Sequence, residues 1–340
     1  MSRPRLILIA VGVALSAAAV FLLVRSIDFS AAMRALGRAS PGWIVGGTLV
    51  TVLGYYLRAL RWRELLGPRT RPPVARLFSA TMVGVLAINT LPARLGELVR
   101  AYVLARTERI RTATVLGSLA AERILDMAML GIFWALSLLV APIPNWFRWS
   151  GYITIAAVVV ICLGLWGLHA SRGRVARWGE TRLVRLLPRR LGEAISSGIP
   201  AFSSGLQVFS RPTFLARAGA WTIVAWVVSA AVFLLVGESL GLKLPFWSLF
   251  LLTFVICVGI SVPSSPGFIG IMEGACVMGL SLLGIGGPEA LAFAILYHVT
   301  QIVPPLVLGT YFVFRQHLTP EMLRIGEDAT GGIGRKERRQ

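Results

Sequence analysis

Apolar residues run along this chain in stretches on the order of twenty residues, the length that crosses a bilayer core, separated by short segments crowded with arginine. The stretches are 6–24, 43–57, 77–91, 113–140, 151–168, 214–236, 246–262, 267–285 and 289–314, and each predicts a helix. The first follows Met1-Ser-Arg-Pro-Arg and is longer than the apolar part of a cleaved signal, so it is expected to stay as an anchor.

The segments between them differ sharply in charge. Residues 58–76 carry six arginines, 92–112 five and 169–213 eight, whereas 141–150 has only Arg148 and 237–245 only Lys243. If every stretch crossed fully, 58–76 would face the opposite side from the other two basic segments, against the positive-inside bias. The conflict disappears if 77–91 enters from the cytoplasm, breaks at Pro92 and Gly96, and returns as a re-entrant hairpin. Irregular backbone at membrane depth is tolerated only inside protein or beside a wet cavity, so the charge count itself points to a cavity.

The second half repeats the shape. Pro263-Ser-Ser-Pro266-Gly267, followed by Gly270, parallels Pro92-Ala-Arg-Leu-Gly96, and each is preceded by a Leu-Phe pair and followed by a helix with polar residues at its centre. Paired Gly/Pro-interrupted apolar segments are the sequence mark of a transporter-type midplane site. The expected fold is therefore an all-α polytopic membrane protein. It has about six full spans (6–24, 43–57, 113–140, 151–168, 214–236, 289–314) plus two re-entrant helical hairpins in an inverted-topology repeat. One transmembrane domain covers 1–318, with repeats at about 43–140 and 214–314. An amphipathic segment at about 171–210 lies on the cytoplasmic leaflet and a basic, disordered tail at 319–340. Both termini are expected in the cytoplasm, with the protein in the plasma (inner) membrane. Trp146 and Trp149 suit the outer interface and Trp62 the inner one.

Composition agrees: 56% of residues are hydrophobic, 14% are charged, and mean hydropathy is +0.75. The net charge of +19, from 32 Arg and 2 Lys against 15 acids, would fit nucleic acid. The basic residues instead sit beside apolar segments, where topology signals belong, and nucleic acid is not expected as a partner. Cys162, Cys257 and Cys276 are dispersed in apolar stretches, without disulfide or metal spacing. No cofactor or metal is expected, and no nucleotide-hydrolysis motif or nucleophile elbow occurs.

The candidate chemistry lies inside the apolar segments. Glu122, Arg123 and Asp126 occupy one turn of a span, and each charge there costs roughly 2.5–3.5 kcal/mol on insertion scales. Either they serve a substrate, or they lock this helix by salt bridges to Arg94 or Arg100; both can hold. Asn89, Arg94, Glu97 and Arg100 surround the first break, where guanidinium forks suit phosphate oxygens. Glu273 stands in an apolar run with no neighbouring Lys or Arg, so its partner is distant in sequence. His298 and Gln301 form the facing polar helix, where a lone histidine is more often a hydrogen-bonded core residue than a ligand and the repeat raises the case for a ligand. Arg58, Arg61 and Trp62 end a span at the cytoplasmic interface, where they anchor topology and contact lipid.

Taken together, Arg58-x-x-Arg61-Trp62, Asn89-x-x-Pro92-x-Arg94-x-Gly96-Glu97-x-x-Arg100, Glu122-Arg123-x-x-Asp126 and Pro263-x-x-Pro266-Gly267-x-x-Gly270-x-x-Glu273 resemble the lysylphosphatidylglycerol synthase/flippase membrane-domain family over about 10–315. The resemblance implies a module that moves a lipid, or a lipid-linked polar headgroup, between leaflets. The cytosolic aminoacyl-transfer domain of full-length synthases is not expected here. That family often has arginine where this chain has His298, so a phosphate-binding role does not carry over to that position. The expected function is a flippase-like transporter of an anionic or phospho-headgroup lipid, with Arg94, Arg100 and Arg123 on the headgroup. The alternatives are a membrane-embedded transferase (or its accessory subunit) acting on a lipid-linked substrate, and an assembly scaffold. The expected partners are membrane lipids, with a homo-oligomer or a lipid-modifying enzyme as further possibilities.

Overall fold

The computed structural model describes residues 3–67, 70–91, 96–140, 143–145, 147–149, 151–153, 155–156, 159–160, 205–206, 209, 211–262 and 264–316. Pro92, Arg94 and Pro263 lie outside them, as do Trp146, Cys162, nearly all of the 171–210 segment, the 319–340 tail and the second half of the 151–168 span. Among the described residues the chain is helical throughout, without strands.

The long helices are α1 (Arg3–Ser26), α2 (Phe29–Gly37), α3 (Pro41–Leu66), α4 (Val74–Thr90), α5 (Gly96–Glu108), α6 (Thr112–Val140), α7 (Pro212–Ser239), α8 (Ser248–Ser261), α9 (Ile271–Ser281) and α10 (Gly287–Pro304). A widened π-helical turn (Pro305–Gly309) continues α10 into α11 (Thr310–Arg315). Local signals set several ends. Pro41 and Pro212 start α3 and α7 where a missing N–H costs nothing, and Asp28 caps α2 by accepting from the Ala31 N–H at 3.0 Å. The π turn absorbs the Pro304-Pro305 pair, which can neither donate nor fit a regular α ladder.

Among the described residues, four helical stretches are long and apolar enough to cross a membrane: Pro41–Leu66, Thr112–Val140, Pro212–Ser239 and Gly287–Arg315. Gly12–Ser26 with Phe29–Gly37, bent by 86°, makes a fifth candidate. The outer surface of these helices is apolar, with Leu49, Leu139 and Phe314 among the exposed side chains, as lipid requires.

Helices α4 and α5 pack on each other across a short link, and so do α8 and α9. Gly96, where α5 begins after α4 has ended at Thr90, also belongs to this packing. It starts α5 pressed on α4, where a Cβ would lie 2.2 Å from the Gly84 carbonyl oxygen. The second link is irregular: Gly267 and Gly270 have φ of 73° and 85°, conformations that glycine adopts without a Cβ clash. Helix α4 reaches this link, so the ends of the two hairpins touch, with the Asn89 carbonyl against Gly267. Helices α3 and α7 run together at close range, Gly54 opposite Ser229.

Two large apolar cores result, besides a smaller one around Trp134, Leu251 and Phe254. One gathers Trp62, Leu77, Val83, Leu104 and Leu119 from α3 to α6. The other gathers Phe133, Phe233, Leu252, Ile256, Phe293 and Tyr297.

Candidate functional site

Three arginines and three carboxylates close into one network between α3, α5 and α6. Arg61 donates to Asp126 at 2.5 Å and lies 3.0 Å from Glu122. Arg100 donates through both terminal nitrogens to the two oxygens of Glu122, at 3.0 and 3.2 Å. Arg123 reaches Glu122 at 3.0 Å, Asp126 at 3.2 Å and Glu97 at 3.6 Å. Arg61, Arg100 and Glu122 are buried; the Arg123 side chain is 49% exposed and sits at the network's edge. The formal charges of these six groups cancel, the condition under which ions persist in a low-dielectric interior.

Aromatic rings seal this network. The Arg100 guanidinium sits 3.8 Å from the centre of the Trp62 ring, whose indole N–H donates to Ser118 at 3.0 Å. Trp62 is wholly buried and Arg61 nearly so. The expectation that these two face lipid at the interface is thus corrected. They point into the bundle because the carboxylates of α6 and the ring-stacking guanidinium of α5 lie there.

A cavity of about 180 Å³ opens beside this network, where α3, α4, α7, α8 and α10 meet the link between α8 and α9. Asn89, in the last turn of the first hairpin's α4, and Phe268, on the link of the second, both line it. Thr253, His298 and Gln301 add polar groups. Gln301 donates to Thr51 at 3.2 Å. Arg58 is the cation in the wall. Its guanidinium lies 5.5 Å from the Tyr55 ring centre and 5.9 Å from that of Trp226, and it has no carboxylate partner among the described residues.

Glu273, at the start of α9, finds its distant partner in His298. His298 Nδ1 lies 2.5 Å from Glu273 Oε1, and Nε2 lies 2.8 Å from the Gly267 carbonyl oxygen. The Gly270 N–H donates to the other Glu273 oxygen at 2.7 Å. Pro266 opens the short 3₁₀ turn Pro266–Phe268 that presents this carbonyl.

The structure therefore divides the expected site residues into two groups. Glu97, Arg100, Glu122, Arg123 and Asp126 form the network; Asn89, His298 and Gln301 line the cavity, with Glu273 behind His298. Arg58, expected as an interfacial lipid contact, is in the cavity wall. Trp226 was not anticipated. Its indole N–H donates to Asp126 at 2.9 Å while its ring lines the cavity, so it joins the two groups. The available signal was a tryptophan midway along a span rather than at an interface.

A model of the lysylphosphatidylglycerol synthase transmembrane region matches residues 9–309, and the chain belongs to that family. Three archaeal relatives share 21–26% identity with it. Glycosyltransferase AglD of Haloferax volcanii is 26% identical over 90% of this chain, which spans only 54% of that protein. A UPF0104 membrane protein of Methanothermobacter thermautotrophicus is 23% identical, covering 86% of this chain and 89% of its own length. A third, the UPF0104 membrane protein MJ1595 of Methanocaldococcus jannaschii, is 21% identical over 82% and 85%.

Proposed function

Starting from membership of this membrane-region family, we propose that the protein is a flippase-like transporter that moves a lipid with an anionic or phosphorylated headgroup between leaflets. The observation that carries the reading is Arg58. It is a cation in the wall of a cavity built where two helical hairpins meet, faced by aromatic rings and polar side chains and left without a carboxylate partner among the described residues. A guanidinium in such surroundings keeps its charge and offers a planar fork to phosphate oxygens. The acyl chains stay outside, along the apolar surface.

In this reading the hairpins are re-entrant from opposite faces and related as an inverted repeat, within about six spans whose ends lie in the cytoplasm. Helix lengths support it. At 1.5 Å per residue, the 14 residues of α8 and the 11 of α9 reach about 21 and 16 Å, short of a bilayer core of about 30 Å. Arg100 and Arg123 serve as support for the cavity rather than as headgroup ligands, since carboxylates already occupy them.

The test is reconstitution into phosphatidylethanolamine–phosphatidylglycerol vesicles carrying a trace of fluorescent phosphatidylglycerol, with dithionite bleaching the outer leaflet. Bleaching well beyond one half, faster than in protein-free vesicles and slower with a zwitterionic phosphatidylcholine probe, is the expected result. Protein-free kinetics with every probe would reject the reading.

The relation to a protein named as a glycosyltransferase favours one other role, handling a lipid-linked sugar for a transferase. Chemical conversion of a lipid-linked sugar by the purified protein, without leaflet exchange, would favour it.

A further inference from the structure

Both ring nitrogens of His298 face acceptors. Nε2 is against the Gly267 carbonyl oxygen and Nδ1 against the Glu273 carboxyl oxygen, at 2.8 and 2.5 Å. A neutral imidazole has one N–H and one lone pair, so it can satisfy only one of these contacts. With Nε2–H on the carbonyl, the Nδ1 lone pair would meet a carboxylate lone pair at hydrogen-bonding distance, which is repulsive. The geometry requires one further proton between Nδ1 and Oε1, whichever atom holds it.

We propose that Glu273 and His298 together form a proton-binding site, and that this proton is the ion coupled to headgroup movement through the neighbouring cavity. The coupling half rests on the transport reading above; the proton site itself does not.

The link between α8 and α9 is the element the proton would control. Among the contacts that hold it are His298 to the Gly267 carbonyl, the Gly270 N–H to Glu273, and the Ser265 N–H to Ser16 of α1 at 2.9 Å. The first two pass through the proton-sharing pair. Phe268, between them, is a non-glycine residue at φ 58°, a left-handed conformation that persists only while its surroundings impose it. Phe268 and His298 both line the cavity. Releasing the proton to water sets carboxylate against lone pair, parts the pair and frees the link. The cavity wall then changes beside the headgroup.

The ionisable groups around the pair leave it this role. Arg58 and Tyr55 of α3 and Cys257 of α8 line the cavity, and Tyr297 adjoins His298 on α10. Cys276 lies one turn on from Glu273 in α9. Arg34 of α2 is exposed and turned to Ser30, residues 12–24 of α1 contain no ionisable side chain, and α4 brings Asn89. Apart from His298, Arg58 is the one cation in this set near the cavity, and among the described residues of the set there is no second carboxylate beside the pair.

The proton is read directly by nitrogen NMR of histidine-labelled protein in nanodiscs, with His298→Gln identifying its signal among three histidines. At neutral pH both ring nitrogens of His298 should be in exchange with a strongly hydrogen-bonded proton, and Glu273→Gln should return the ring to a single N–H. A single-N–H ring whose Nδ1 shares no strongly hydrogen-bonded proton in the wild-type protein from about pH 5 to 8 would overturn the site. In vesicles with fluorescent phosphatidylglycerol, a pH gradient should bias the lipid between leaflets. One-to-one coupling gives about tenfold per pH unit, and Glu273→Gln should abolish the bias. Lipid exchange indifferent to the gradient would overturn the coupling and leave the transport reading intact. No exchange of any lipid would overturn both the coupling and that reading, with the NMR result still deciding the proton site.

Discussion

The charged network of α3, α5 and α6 and the cavity beside α10 lie side by side, share Trp226, and are built on opposite terms. In the network, three arginines meet three carboxylates, and its most buried members are tied by paired hydrogen bonds and a stacked indole. In the cavity, Arg58 has aromatic and neutral polar neighbours and no carboxylate partner among the described residues, and the carboxylate nearby is tied to a histidine. Ions that are mutually satisfied hold helices in place and are poor ligands. An ion left unsatisfied beside open space is a poor strut and a good ligand. The same residue type stands in both settings three positions apart, at Arg58 and Arg61.

The largest way to break the comparison is Glu122→Ala. It strips the shared partner from buried Arg61 and Arg100, and removing one member of a buried pair costs about 3–5 kcal/mol. A large fall in thermal midpoint, read by tryptophan fluorescence in detergent, is expected; a near wild-type midpoint would deny the network its structural role. Gly96→Ala is the next test, because its Cβ would lie 2.2 Å from the Gly84 oxygen, and overpacking costs about 1–3 kcal/mol. Unchanged stability would show that α4 and α5 are looser than their packing indicates.

Trp226→Phe sharpens the boundary between the regions. It keeps a ring against Arg58 and removes the N–H bound to Asp126, a loss of about 1.5–3 kcal/mol for a hydrogen bond to a charged group. Stability should fall modestly, and transport should fall less than with Trp226→Ala, which also removes the ring. Smallest is Thr51→Val, which takes the acceptor from Gln301 at 3.2 Å and should cost about 0.5–1.5 kcal/mol in the same melt.

What the sequence made legible follows from what periodicity and cost can carry. Intramembrane charges are expensive, so Glu122, Asp126 and Glu273 stood out, and their need for partners forecast both the network and the pairing of Glu273 with a remote residue. Facing was harder. Arg58, Arg61 and Trp62 belong to one basic helix end, where positive-inside arginines and buried ones look alike. Only packing against α6 and α7 sends Arg61 to the carboxylates and Arg58 to the cavity. Gly96 marks both the start of α5 after α4 and a close approach, and only the contact with Gly84 reveals the second. Trp226 was missed because its value lies in joining two neighbours that are distant in sequence.

The most direct measurement is a paired one, transport rate and thermal midpoint recorded together for Arg58→Gln and Arg61→Gln in the same vesicles and detergent. Expected is that Arg58→Gln lowers fluorescent phosphatidylglycerol exchange more than about tenfold with its midpoint unchanged, while Arg61→Gln lowers the midpoint through about 3–5 kcal/mol of lost pairing. Wild-type exchange by Arg58→Gln, or an unshifted midpoint for Arg61→Gln, would contradict the division of labour between cavity and network.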